Sequence, residues 1–344
     1  LVNLIVVYLR NRIKRGLDDD KETFIFQSTE FGIFFLFSMK WIAKAIVQKI
    51  ISGMPFSHEI NYFFQKYITG GVFLSDEYFE DRLTHCANHY QYFQKYNPTS
   101  AFTHLEIGTG WYPIVPLGMF LYGAQRSITI DLHRLTNAQR TVLAIQKFRE
   151  YYLNGKLEKY LPGIQNERIQ ILLKEANDYS TKDFHDLLRK FNIKYLVMDV
   201  RDILLEEKSI DLITSNNTFE HIEPSILPEI LQKLKYLCKK GGVMSHFIDL
   251  SDHYAHMDKS ITIYNFLKFS DSQWKWINNS VQPMNRLRIY EYEALYQKAE
   301  IPITERIDRT PDLESYRKVK VHSRFSNYPE TENAVSHSLL VSKM

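Results

Sequence analysis

The chain has 344 residues with 44% hydrophobic and 24% charged side chains, an ordinary globular balance that excludes a disordered or fibrous protein. Its net charge is +3 with acids and bases interspersed, which argues against a nucleic-acid binder, since that would need a concentrated basic stripe. Two cysteines, Cys86 and Cys238, are too few for a disulfide framework or a thiolate zinc cage, so both read as core thiols in a cytoplasmic, reducing setting.

In chain order, "LVNLIVVYLRNRIKRG" puts its basic residues after the apolar run, the wrong order for a secretory signal. The stretch 31–54 is interrupted by Lys40, Lys44 and Lys49 and falls short of the roughly 20 uninterrupted apolar residues of a membrane span. Its helical spacing fits a cap helix packed on the core, the favoured reading, or a peripheral membrane contact. Helices are expected over 38–52, 58–70 and 75–96, the last capped by Ser75, giving a helical N-terminal cap over 1–97 that closes at Asn97-Pro98. Short apolar strands bounded by turns follow at 101–108, 127–132, 193–200, 210–216 and 241–248, as in a buried parallel sheet. Leu227, Ile230, Leu231, Leu234 and Leu237 line one face of a crossover helix stopped by Gly241 and Gly242. Residues 134–192 exceed one crossover and read as a helical elaboration over one sheet edge, with helices at 137–152 and 181–191. The segments 303–310 and 334–344 read as an antiparallel pair joined without a helical pattern.

Ligands of an open parallel sheet bind beyond the carboxyl ends of its strands. Those ends are polar throughout: Glu106, Gly108 and Gly110 after the first strand, Asp131 after the second, Asp199 after the third, and Ser215, Asn216 and Asn217 after the fourth. Glycines alone are explained by a tight turn; the conjunction carries more weight. Over residues 100–250, and to 344 with the terminal hairpin, the motifs "LEIGTG", "ITIDL", "YLVMDVRDILLEEKSIDLITSNNTFEHI" and "LKYLCKKGGVMSHFI" resemble the class I S-adenosylmethionine-dependent methyltransferases of the type 11-like branch. The resemblance implies an α/β, Rossmann-like, seven-stranded sheet of order 3-2-1-4-5-7-6 with strand 7 antiparallel, flanked by helices, as one domain over 98–344. It also implies that Glu106, Gly108, Thr109 and Gly110 cradle the methionine part of S-adenosylmethionine. By the same resemblance Asp131 and Leu132 meet the ribose side, Asp199 and Val200 the adenine, and Ser215 and Asn216 the methionyl side, with S-adenosylhomocysteine as product. Trp111 and Tyr112 depart from the small residues usual there, and line the acceptor pocket or pack on the cap. A nicotinamide-dependent dehydrogenase is the rival among nucleotide-binding folds, but Pro113 stands where the third glycine of its fingerprint belongs.

Methyl transfer to a hydroxyl needs a base besides close positioning. His221 in "NTFEHI" and His246 in "MSHFIDL" are the candidates, with Glu220 or Asp249 to orient an imidazole; His221 reads equally as a buttress. Asp249, Asp252, His253 and His256 could supply metal ligands, but no companion acidic pair stands out, and they are assigned with Trp111, Asn217 and Glu220 to the acceptor instead. Arg286 and Arg288 reach an anionic acceptor group or pair with Glu291 or Glu293. Residues 249–300 then form an acceptor lid with the N-terminal helices. The expectation is O-methylation of a small molecule, anionic or sugar-like, with no nucleic-acid partner. A non-catalytic cofactor-binding scaffold or a membrane-associated module is the alternative; absent strand-end carboxylates would favour the first and liposome binding the second.

Overall fold

The computed structural model describes residues 41–53, 73–176, 183–256, 258–280 and 283–344. The opening segment, the first ten residues of 31–54 and the expected helix at 58–70 lie outside the described residues. The main helices are α1 (Trp41–Ser52), α2 (Asp76–Tyr96), α3 (Ile114–Tyr122), α4 (Ala138–Leu153), α5 (Asn166–Ala176), α6 (Phe184–Arg189), α7 (Leu227–Leu237), α8 (Asp271–Ile277) and α9 (Ile289–Lys298). The strands are β1 (Phe102–Ile107), β2 (Ala124–Asp131), β3 (Ile193–Val197), β4 (Ile210–Asn216), β5 (Cys238–Asp249), β6 (Glu305–Asp308) and β7 (His337–Lys343).

They form one sheet in the order β3-β2-β1-β4-β5-β7-β6, with β7 antiparallel to both neighbours. This is the expected Rossmann-like order, and an antiparallel β7 between β5 and β6 departs from the all-parallel nicotinamide-binding sheet. β4 is buried along its whole length because helices cover both faces of the sheet. On one face Phe79, Leu83, Cys86 and Phe93 of α2 pack with Leu117, Leu121, Phe148, Leu212 and Val243. On the other, Leu227, Ile230, Leu231, Leu234 and Leu237 of α7 and Tyr292 and Tyr296 of α9 pack on Leu105, Ile128, Ile213 and Met244.

Several expectations change here. α2, with Ser75 accepting from the Tyr78 N–H as its N-cap, packs as a layer on one face of the sheet. α3 had no sequence signature because every one of its residues is buried, so its apolar pattern lacks a helical period; Gly118 lets α2 close in, since a Cβ there would stand 2.5 Å from the Cys86 Sγ. The crossover helix α7 ends at Leu237, and Gly241 and Gly242 fall within β5, Gly241 at φ +79°. α9 belongs to the sheet packing and not to a lid, while the 310–334 connection carries the short helices Leu313–Arg317 and Glu330–Asn333.

A third cluster joins Trp41 and Ala45 of α1 to Tyr254, Phe266, Trp274, Met284 and Phe325. The Trp41 N–H donates to Asp258 Oδ2 at 2.9 Å, and Lys49 Nζ donates to the carbonyl of Asn278 at 2.7 Å. The described part of 31–54 is thus fastened onto the segment after β5, with Lys44 and Gln48 facing inward and Ile42, Ile46 and Ile50 outward.

Candidate active site

The carboxyl ends of β1, β2 and β4 meet at the sheet's switch point, and the turn after β1 fixes the geometry there. Gly108 and Gly110 adopt φ of +83° and +71°, the left-handed region. A Cβ on Gly108 would stand 2.2 Å from Thr218 Oγ1, so this glycine is what allows the turn to lie against the loop after β4. The Thr218 hydroxyl lies within bonding distance of the Ile107 carbonyl at 3.2 Å and the Asn216 carbonyl at 3.0 Å, tying the two strand ends together. Glu106 is buried and accepts from Thr129 Oγ1 at 2.8 Å, and Thr129 is bonded in turn to Thr109; burial pushes the Glu106 carboxyl up to about 8. Glu106 and Thr109 therefore brace the turn from inside.

Asp131, at the tip of β2, accepts from the Gly110 N–H at 3.3 Å and from the Tyr195 hydroxyl at 3.0 Å. Burial pushes it up to about 7 against these donors. Leu132, next along, is 63% exposed, an apolar surface at the mouth of the site. The Met198 N–H bonds the Asp131 carbonyl, bringing Asp199 and the buried Val200 alongside. Asp199 is held below its usual range by the Arg201 guanidinium, which meets both its oxygens, the closer at 2.7 Å.

At the end of β4, Asn216 Oδ1 bonds His89 Nε2 at 2.9 Å, and His89 Nδ1 bonds Ser245 Oγ at 2.7 Å. Asn216 Nδ2 and Asn217 Oδ1 are buried without a hydrogen-bond partner, as are both carboxylate oxygens of Glu220. Such orphaned atoms are costly unless a ligand or ion satisfies them. The unpartnered Asn216 and Asn217 groups suit a polar ligand lying across the ends of β1 and β4, as S-adenosylmethionine would.

The acceptor-side residues divide. Glu220, His221 and His253 bring one ligand-type atom each within 4.8 Å of one another. His221 Nδ1 donates to the Pro283 carbonyl at 2.6 Å, and burial pulls its imidazole down to about 4, leaving it neutral at pH 7. His253 Nε2 lies 3.3 Å from Asp249 Oδ2, and His337 Nε2 lies 3.4 Å from the other oxygen. Burial opposes ionisation of Asp249, but the two imidazoles hold it well below the usual carboxylate range. His256 is exposed, its ring 5.8 Å from that of His253. A water-sized crevice of about 10 Å³ is lined by Lys44, Gln48, His253, Tyr254 and Met284; burial lowers Lys44 to about 8.

Other candidates belong to the scaffold. His246 is wholly buried, its ring stacked on Phe219 at 4.6 Å and its Nδ1 bonded to Ser215 Oγ at 2.8 Å, so neither His246 nor Ser215 opens on the acceptor. Asp252, also wholly buried, accepts from the Tyr254 N–H and from Asn265 Nδ2. Arg288 donates to the carbonyls of Leu250, Asn333 and Val335, and Arg286 to those of Phe266 and Phe269 and to Asp271. The irregular segments around them have carbonyls without sheet or helix partners, and these arginines satisfy them instead of reaching an anionic acceptor. Trp111 lies under the Arg140 guanidinium at 4.8 Å, and Tyr112 packs on Tyr78 of α2.

The sequence reading missed His85, His89 and His104, which lie in the protein interior, and Lys44 and Gln48 at the crevice. The only signal for His85 and His89 was their position on the apolar face of α2 with Phe79, Leu83, Cys86 and Phe93.

Residues 163–245, from the turn before α5 through the first two thirds of β5, match the family model described as a methyltransferase domain. The matched residues and the strand order agree with a class I S-adenosylmethionine-dependent methyltransferase. The β1 turn and Asp131 of this methyltransferase lie outside the matched span and rest on the geometry above. No curated protein sequence matches the chain. Among solved structures the methyltransferase is similar to an S-adenosylmethionine-dependent methyltransferase from Clostridium acetobutylicum, at 12% identity over 83% of this chain and 98% of that one, TM-score 0.42. It is also similar to geranyl diphosphate C-methyltransferase from Streptomyces coelicolor, solved with Mg2+, geranyl diphosphate and S-adenosylhomocysteine, at 12% identity over 78% and 86%, TM-score 0.41. Phosphoethanolamine N-methyltransferase 2 from Haemonchus contortus is a third, at 12% identity over 74% of this chain and 52% of that one, TM-score 0.40. Likeness this distant carries no acceptor to this chain. No helix among the described residues is long and apolar enough to cross a membrane.

Proposed function

We propose that this methyltransferase acts on a hydroxyl oxygen of a small molecule, anionic or sugar-like, held between the end of β4 and the segment after β5. The observation that carries this reading is the grouping of Glu220, His221 and His253 beside a crevice walled by the buried cation Lys44. When bound, S-adenosylmethionine supplies a methyl on a sulfonium: its sulfur–carbon bond breaks with the electron pair going to sulfur, while an acceptor lone pair forms the new bond to carbon. A hydroxyl must also lose its proton, which an amine acceptor would not demand in the same way, and a neutral imidazole answers that need.

In this reading the Gly108–Gly110 turn holds the methionine part, the Asp131 carboxylate accepts from the ribose hydroxyls in place of Tyr195, and Leu132 and Val200 flank the adenine. His221, locked by the Pro283 carbonyl, keeps its Nε2 lone pair for acceptor activation; His246, sealed under Phe219, keeps Ser215 and β5 in place. Lys44 meets an anionic group, which would raise its lowered pKa back toward the usual range. α1 and the residues after β5 form the lid. The setting is cytoplasmic, in keeping with two buried free thiols. The test is release of S-adenosylhomocysteine from S-adenosylmethionine with matched panels of hydroxy acids, sugars, amines and carbon acids. Turnover confined to the amines or carbon acids would refute the oxygen assignment.

A further inference from the structure

We infer that Glu220, His221 and His253 bind a divalent transition-metal ion, with an open position for an oxygen of the acceptor.

Glu220 makes the strongest case. It is 1% exposed, neither carboxylate oxygen has a well-formed hydrogen bond, and only the backbone N–H groups of Glu220 and Asp249 lie close enough to favour its charge. A buried carboxylate in that state is either neutral or waiting for a cation. The two groups beside it are not hydrogen-bond donors placed to neutralise it but imidazoles, one atom of each residue falling within 4.8 Å of the others. Bonds of ~2.1 Å around a tetrahedral ion would separate such atoms by roughly 3.4 Å, a closure that small side-chain rotations supply.

Supporting contacts complete the pattern. His221 must carry its proton on Nδ1, because the Pro283 carbonyl only accepts, and this leaves Nε2 as the coordinating atom. His253 Nε2 lies 3.3 Å from Asp249 Oδ2 without a formed hydrogen bond, so a small turn of the ring would make the carboxylate–histidine contact that orients metal-bound imidazoles. Two imidazoles and one carboxylate suit the zinc, manganese, iron or cobalt class better than magnesium or calcium. The sequence had weighed a metal on Asp249, Asp252, His253 and His256; of these only His253 is a ligand, with Asp249 supporting it from behind.

His253 also walls the Lys44 crevice, so the open coordination position faces the proposed acceptor space. An acceptor hydroxyl there would bind through oxygen and the ion would lower its pKa, so with the ion bound His221 would serve as a ligand in place of its role as base, and the hydroxyl proton would pass to solvent. This role rests on the oxygen-methylation reading, whereas ion binding itself does not.

The test is a Co2+ titration of the chelator-treated full chain, followed by its visible ligand-field bands, with calorimetric titration of S-adenosylhomocysteine on the same samples. One saturable equivalent of Co2+ is expected, with at least ~10-fold weaker binding in E220Q and in H253A and unchanged S-adenosylhomocysteine affinity. E220Q preserves the side-chain shape and His253 is only partly buried, so both variants are expected to fold; loss of the electron-paramagnetic signal of free Mn2+ gives a second readout. No saturable uptake by the wild type, or equal uptake by both variants, overturns the site. Normal Co2+ uptake with no S-adenosylhomocysteine binding supports the ion and removes its role in methyl transfer.

Discussion

Replacing Gly108 by alanine tests how the cofactor turn is built. The substitution carries two separable costs. Holding an L-residue at φ +83° costs ~1–2 kcal/mol. The new Cβ would also stand 2.2 Å from Thr218 Oγ1 and 3.0 Å from its Cγ2, an overpacking cost of ~1–3 kcal/mol. G108A should therefore lose ~2–5 kcal/mol, in urea-unfolding stability or as S-adenosylhomocysteine affinity if the turn moves instead. T218A alone should cost ~1 kcal/mol through its bonds to the Ile107 and Asn216 carbonyls. It also removes both clashing atoms, so the G108A/T218A pair should recover the steric share and keep the backbone share, a coupling of ~1–3 kcal/mol in the double-mutant cycle. Additive losses, or a G108A protein as stable and as tightly binding as wild type, would refute the account of this turn.

Further outcomes follow from the same geometry. D131N should weaken S-adenosylhomocysteine by ~10-fold or more in calorimetry, because the amide cannot accept from both ribose hydroxyls. H221A should lower kcat by ~100-fold with cofactor affinity unchanged, since the residue faces the acceptor. R288M should lose ~3 kcal/mol or more in urea unfolding without raising any acceptor KM, because three carbonyls lose their donor. His104 is wholly buried and burial pulls it down to about 3, below its unfolded value near 6.5, so the unfolded chain binds the extra proton between those values. Its share of stability is complete above pH ~6.5 and falls by ~1.4 kcal/mol per pH unit on acidification toward 3; buried Glu106 and Asp131, shifted upward, act in the opposite sense. The variant H104Q should thus show a shallower acid-side slope of stability than wild type, read by urea unfolding at successive pH values, and equal slopes would refute it.

The sheet was legible because its strands are short apolar runs ending in Gly, Asp or Asn, and β4 and the terminal hairpin appeared within a few residues of their predicted bounds. α3 was not legible, since a helix buried all round has no period to detect. The gathering of polar strand ends at the switch point could be read from position alone, because strand order dictates it. The acceptor side could not: Arg286, Arg288, Asp252 and His246 have chemistry suited to a ligand, yet each is consumed by a neighbour distant in sequence, such as the Asn333 carbonyl or the Phe219 ring. Lys44 and Gln48 were invisible for the converse reason, as nothing local reveals that the polar side of α1 faces inward and its isoleucines outward.

The most direct measurement is calorimetric titration of S-adenosylhomocysteine into the full chain and into D131N. The account predicts one site per chain in the wild type and a marked loss of affinity in the variant. No binding by a folded wild-type chain, or equal binding by both proteins, would contradict it.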